Sequence, residues 1–195
     1  MLRSLCLTNF KGFQDEAFAL GSFTLLIGTN AAGKSNLRDA LMCLHAVGRG
    51  YAIPEALGER YEAGVRVWPG IRGGARGAAR HGSSQFSLMT RTDFDGARAL
   101  THDLTLGVAA HGPASVTAET LWWIDDHVPL LETQPKSKAH ELRCLVRADD
   151  RGNRIQLDFP ASNSALTTLA SPYGVARWGL AGRNLDEVNA VADDA

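Results

Sequence analysis

A glycine-rich loop that ends in lysine and serine is the strongest chemical signal in the sequence. Residues 28–35 read GTNAAGKS and fit the phosphate-binding pattern G-x-x-x-x-G-K-S. Gly28 and Gly33 allow the chain to fold so that successive backbone N–H groups face anionic oxygens. We expect Lys34 to contact the β- and γ-phosphates of a nucleotide and Ser35 to offer its hydroxyl to Mg²⁺. The alternative is a glycine-rich strand-to-helix turn without a ligand, and the pattern favours nucleotide binding.

The elements on either side of this loop are expected to position it. The apolar run FTLLI at residues 23–27 predicts a strand that leads into the loop. A helix is predicted from residue 34 to residue 47, because apolar residues recur at helical spacing and Gly48 is a natural stop. The N-terminus of that helix adds partial positive charge near the phosphates. The predicted nucleotide contacts are therefore Gly28, Thr29, Asn30, Ala31, Ala32, Gly33, Lys34, Ser35 and Asn36.

Composition limits the class of protein without naming a partner. The chain has 195 residues, of which 45% are hydrophobic and 21% charged, with a formal net charge of −1. This balance is typical of a globular protein and gives no overall attraction to nucleic acid or membrane. Three widely spaced cysteines predict neither a disulfide framework nor a zinc site, but buried thiols. No signal peptide or membrane-length apolar run is recognised, so a cytoplasmic location is expected.

Strands dominate the rest of the predicted structure. Residues 2–10 and 16–20 read as two strands, and a short helix is plausible within residues 51–64. After a connection rich in Gly and Arg at residues 64–84, apolar segments separated by turn residues predict an antiparallel meander that reaches residue 159. We expect residues 1–160 to form one nucleotide-binding unit. Residues 161–195 are weakly patterned and are expected to be a separate segment or a truncated element, with a helix near residues 185–192.

Two segments resemble a known family. LTNFKGF at residues 7–13 and FTLLIGTNAAGKSNLRDAL at residues 23–41 resemble the N-terminal lobe of RecF/SMC-like ABC-type ATPases, a group that includes RecF-like AAA-type ATP-binding proteins. The resemblance is specific to about residue 44 and fair to about residue 159. It implies an α/β fold of the P-loop NTPase type, with a mixed sheet around the phosphate-loop helix and an antiparallel meander beside it. It also implies ATP and Mg²⁺ as ligands.

The resemblance also implies that part of the catalytic machinery lies elsewhere. In that family a C-terminal half carries the signature motif, the Walker B acids and a switch histidine, and no LSGGQ-like stretch occurs in this chain. We therefore expect ATP hydrolysis only when a C-terminal half or second subunit completes the site, in a pathway of DNA repair or phage defence. A different hypothesis is a non-catalytic ATP-binding module or remnant, whose nucleotide stabilises an interface.

Further residues are candidates, each with a structural alternative. The resemblance suggests Gln85 as a contact for Mg²⁺ or the attacking water; the alternative is an exposed strand residue. It also suggests Lys11 as a contact for the nucleotide, and the alternative is a solvated lysine in a turn. Asp125 and Asp126 follow the apolar run LWWI as Walker B acids would, but the sequence around them favours a hairpin tip. A basic cluster suits DNA phosphates, ATP phosphates across a dimer, or plain solvation, and consists of Arg66, Arg72, Arg76 and Arg80.

Overall fold

The computed structural model describes residues 1–94, 98–108, 112–134, 140–149 and 151–171. The helix predicted at residues 185–192 lies outside this part of the chain. The elements in chain order are β1 (Leu2–Phe10), β2 (Phe13–Ala19), α1 (Lys34–Gly48), α2 (Ile53–Leu57), β3 (Arg60–Glu62), β4 (Val65–Trp68), a 3₁₀ turn (Ala75–Gly77), β5 (Gln85–Phe94), β6 (Arg98–Gly107), β7 (Ser115–Trp123), β8 (Leu131–Thr133), β9 (Glu141–Arg147), β10 (Arg154–Pro160) and α3 (Ala165–Ala170).

One eight-stranded sheet forms the body of the described structure. Its strand order is β10-β9-β8-β7-β6-β5-β1-β2, and every pairing in it is antiparallel. Strands β5 to β10 follow one another as a meander, and the β1–β2 hairpin extends the same sheet through the pairing of β1 with β5. A separate small hairpin, β3–β4, was not predicted: β3 lies in the segment where a short helix was expected, and β4 lies in the connection rich in Gly and Arg.

The predicted α/β fold with a mixed sheet around the phosphate-loop helix is wrong. The described strands contain no parallel pair, and residues 22–27, predicted as the strand before the loop, form no strand. Their side chains are instead exposed, at 83% for Phe23 and 85% for Ile27. A continuous apolar run suits a strand that is buried on both faces between neighbours. None of the described strands pairs with this run, so it forms no strand.

Alternation of side chains gives the sheet one buried face. Along β9, for example, Leu142, Cys144 and Val146 are buried while the residues between them are partly exposed. The same cluster includes the buried face of α1, formed by Leu37, Ala40, Cys43, Ala46 and Val47. Helix α1 therefore packs on the sheet, although Leu41 and Leu44 of its predicted apolar face are only partly buried. Among the described residues, no helix has the length and apolar character needed to cross a bilayer.

The three cysteines, which the sequence predicted to be buried thiols, are free, and two of them are buried. Cys43 and Cys144 are buried, whereas Cys6 is partly exposed. Burial raises the pKa of the Cys43 thiol to about 12, so it stays protonated and behaves as a small apolar side chain.

A buried carboxylate joins α3 to the sheet. Glu119 on β7 has no exposed surface and accepts hydrogen bonds from the Ser164 hydroxyl at 2.6 Å and from the N–H groups of Ala165 at 2.6 Å and Leu166 at 3.3 Å. The His102 ring on β6 lies 2.9 Å from the same carboxylate. These contacts satisfy the first backbone donors of α3, which a helix leaves unpaired.

We expect Glu119→Ala to lower the free energy of unfolding by about 3–5 kcal/mol, because several buried donors lose their acceptor at once. Chemical denaturation measures this loss. Glu132→Ala is the matched control: Glu132 pairs with Arg154 at a partly exposed site, and its loss should stay below about 1 kcal/mol. Equal losses in the two variants would contradict the anchoring role of Glu119.

Candidate phosphate-binding site

The loop at residues 28–33 leaves backbone donors free at the start of α1. Ala31 has φ of 65° and Gly33 has φ of 88°, so the chain twice enters the left-handed region before the helix begins at Lys34. The N–H groups of Ala31, Gly33, Lys34 and Ser35 have no acceptor among the described residues. Successive free N–H groups in such a turn, together with the positive end of a helix, favour an anion.

Lys34 lies over this loop. Its ammonium group donates to the carbonyl oxygen of Gly28 at 2.6 Å and to that of Thr29 at 2.7 Å. An ammonium group has three donors, so one is left for a ligand. Ser35 is exposed, and no described residue bonds its hydroxyl. The structure therefore places the Lys34 ammonium at the loop carbonyls and leaves the Ser35 hydroxyl exposed in the first turn of α1.

The aromatic ring of Phe13 packs closely against Gly33. A methyl group added at Gly33 would lie 2.9 Å from Cζ of Phe13, which is closer than side-chain carbons approach one another. Phe13 packs in turn against Phe18 with ring centroids 5.3 Å apart. Both rings line a cleft of about 220 Å³ beside Gly33 and Lys34. Gly33 is thus required both by its backbone conformation and by the closeness of this ring.

A buried carboxylate ties two other segments to α1. Asp39, whose side chain is 1% exposed, lies 2.9 Å from Nζ of Lys11 and 2.9 Å from Nε of Arg72. Lys11 Nζ also donates to the carbonyl oxygen of Arg72 at 2.5 Å, and Arg72 Nη2 donates to Oδ1 of Asn36 at 3.1 Å. Burial raises the pKa of Asp39, but the hydrogen bonds from Arg72 and Lys11 outweigh it, so the pKa lies below its ordinary value.

Backbone contacts fix the turn that carries Lys11. Asn9 and Lys11 both have positive φ, at 54° and 51°. The N–H of Lys11 donates to the carbonyl oxygen of Ala78 at 2.8 Å, and the N–H of Arg80 donates to that of Asn9 at 2.7 Å. The glycine-rich connection is therefore bound to the β1–β2 turn, and Asp39 holds both beside the first turns of α1.

Gln85 and the two acidic candidates lie at opposite ends of the sheet. The pairs Thr8–Ser87 and Gln85–Gly107 place Gln85 at the end that carries Lys11, where its side chain is exposed. Asp125 and Asp126 follow the last residue of β7, at the other end of a nine-residue strand, about 25 Å or more away. The structure therefore does not bring these two acids to the residues held by Asp39.

The acidic pair has the contacts of a hairpin tip. Asp125 lies 3.9 Å from the guanidinium of Arg98, and its side chain is 65% exposed. Asp126 accepts from the N–H of Val128 and from Arg147, and these two bonds hold its pKa below the ordinary value. The turn interpretation explains these contacts without a metal.

The basic cluster divides into paired and open arginines. Arg66 pairs with Glu59 at 3.0 Å, and Arg72 is bound to Asp39. Arg66 lies on β4 and Arg76 lies in the 3₁₀ turn, so the four arginines do not share one helix. Arg76 and Arg80 are exposed and line an open cleft of about 970 Å³ with His81. Contact of the cluster with DNA stays a prediction, for which these two arginines are the accessible candidates.

Two contributors escaped the sequence analysis, namely Asp39 and Phe13. Asp39 reads as an ordinary polar helix residue, and its role depends on two cations that are distant in the chain. The one indication in the sequence was the family resemblance, which suggested that Lys11 lies beside the nucleotide.

The chain matches no protein-family model and no curated protein sequence.

We expect Gly33→Ala to lower the free energy of unfolding by about 2 kcal/mol or more, through a left-handed alanine and a clash with Phe13. Gly64→Ala is the matched control, because Gly64 has a similar φ of 81° but open space around it. Its loss should be about 1 kcal/mol. Thermal or chemical unfolding measures both, and Phe13→Leu should recover part of the loss of Gly33→Ala. No recovery would contradict the clash.

We expect Asp39→Ala to lower the free energy of unfolding by about 3–5 kcal/mol, because two cations lose their buried counter-charge. The lowered folded-state pKa means that the carboxylate contributes its stability above the unfolded value of about 3.9 and loses it as pH falls through the folded value. Asp39→Asn should therefore flatten the fall in stability below about pH 4. An unchanged acid limb of the stability curve would contradict this assignment.

Proposed function

We propose that this chain binds ATP with Mg²⁺ through the loop and first helical turn at residues 28–36. The observation that carries the proposal is the coincidence of the GTNAAGKS sequence with free backbone donors at the N-terminus of α1. A polyphosphate satisfies such donors and is neutralised by the ammonium of Lys34. The family resemblance supports the same ligand.

The residues present suit a magnesium ion that arrives with the nucleotide. Among the described residues, no group of three or more His, Cys, Asp and Glu side chains could hold a metal by itself. Mg²⁺ in nucleotide sites takes most of its ligands from phosphate oxygens and water, with one or two from protein. The exposed hydroxyl of Ser35 would supply such a ligand. The bound ion would neutralise charge on the phosphates.

Catalysis is proposed to need a further component. Phosphoryl transfer depends on groups that position the attacking water and stabilise charge, and Asp125 and Asp126 lie at the far end of the sheet. Exposed apolar side chains directly precede the loop, and such patches mark interaction sites. We infer that a C-terminal half or second subunit covers residues 22–27 and completes an ATPase in the cytoplasm. The alternative is an ATP-binding module that does not hydrolyse its nucleotide.

We expect isothermal titration calorimetry to show binding of ATP with Mg²⁺ by the purified chain, and Lys34→Ala to weaken it about ten- to a hundred-fold through loss of a charge-assisted contact. Arg91→Ala is the control, since Arg91 is exposed on β5 outside the loop. Absence of binding, or equal effects of the two substitutions, would refute the proposal.

The rate of ATP hydrolysis by the isolated chain tests whether catalysis needs a further component. We expect little ATP hydrolysis by the purified protein. Efficient hydrolysis that disappears in Lys34→Ala would contradict the need for a further component while leaving nucleotide binding intact.

A further inference from the structure

Arg72 lies closer to the phosphate-binding loop than its position in the sequence indicates. It is separated from Asn36 by more than thirty residues, yet its Nη2 donates to Oδ1 of that side chain at 3.1 Å. Asn36 directly follows Ser35 in the first turn of α1. Two bonds therefore orient the guanidinium beside this turn: the one to Asn36 and the one from Nε to Asp39 at 2.9 Å.

These two bonds leave part of the guanidinium available. Nη1 has no acceptor among the described residues, and the side chain is 52% exposed. A guanidinium carries its donors in a rigid planar fork, and one edge of this fork is occupied by protein. The other donors belong to a half-exposed side chain that is bonded to Asn36, the residue that directly follows the free backbone N–H group of Ser35.

The charge balance around Asp39 leaves a surplus of positive charge. Asp39 is one carboxylate, and Lys11 alone would neutralise it from a position where its own side chain is 9% exposed. Arg72 adds a second cation, and the first turn of α1 contains no acidic residue. A structural ion pair needs only one of these cations. The positive charge of Arg72 is therefore not neutralised by Asp39, and it can attract an anionic ligand at the loop.

We propose that Arg72 binds the phosphate groups of the nucleotide, and that Asp39 is the positioning residue that holds its guanidinium beside the loop. This inference rests on the proposed binding of ATP. It assigns to the glycine-rich connection a direct part in the site, and it separates Arg72 from the other arginines of the basic cluster.

The test is calorimetric titration of the full chain and its variants with ATP plus Mg²⁺, and with inorganic tripolyphosphate plus Mg²⁺. Arg72→Ala should weaken ATP binding about ten-fold or more, and Arg72→Lys should give an intermediate affinity, because a lysine keeps the charge but not the planar fork. Tripolyphosphate binding should weaken by a similar factor, since the contact is to phosphate. Arg91→Ala, which removes an exposed arginine on β5 outside the loop, should leave both affinities unchanged.

The outcomes separate this inference from the proposed function. Wild-type protein that binds ATP in a Lys34-dependent way, with Arg72→Ala within two-fold of it, would overturn the role of Arg72 alone. Should Arg72→Ala fail to fold, Arg72→Lys decides: intermediate affinity supports the role, and wild-type affinity overturns it.

The role of Asp39 has its own readout. In an Asp39→Asn background the guanidinium is less firmly held, so the further substitution Arg72→Ala should weaken ATP binding by a smaller factor than it does in the wild-type protein. Equal factors in the two backgrounds would contradict positioning by Asp39.

Discussion

The buried carboxylate of Asp39 is the contact on which the candidate site depends. It joins α1 to the β1–β2 turn through Lys11 and to the glycine-rich connection through Arg72. A buried carboxylate of this kind is stable only while its cationic partners stay in place, so the ion pairs that offset its desolvation hold three segments distant in sequence in one arrangement. The orientation of the residues around the phosphate-binding loop follows from that arrangement. Without Asp39, the turn and the connection would lose their shared buried counter-charge and keep their backbone contacts, such as the bond between Lys11 and Ala78, and the bonds from Lys11 to the Arg72 carbonyl and from Arg72 to Asn36.

The same physical device recurs where α3 meets the sheet. Glu119 is buried on β7 and accepts from the first backbone donors of a helix that has only six residues. The antiparallel sheet provides a continuous apolar face, and α1 packs against it in one cluster. Two buried acids then attach the elements that the sheet does not hold by strand pairing. Because each acid binds several donors, the loss of either one affects a whole segment rather than a single contact.

Local patterns in the sequence predicted the elements better than their assembly. The start of α1, the strands of the meander and the turn at residues 28–33 could be predicted, because turn residues and side-chain periodicity depend on near neighbours in the chain. Local patterns could not show whether residues 22–27 form the expected strand, because an apolar run becomes a strand only where another strand pairs with it. The cluster around Asp39 was hidden for a similar reason: Lys11 and Arg72 approach it only after the chain has folded.

Binding of ATP at residues 28–36 is the central claim, and hydrogen–deuterium exchange of the backbone amides tests it most directly. The free N–H groups at the start of α1 should exchange rapidly in the protein alone. With ATP and Mg²⁺ present, we expect slower exchange in residues 28–36 and around Arg72, and no change at the hairpin tip that contains Asp125 and Asp126. Unchanged exchange at the loop under saturating ATP, or protection confined to another part of the chain, would contradict the account.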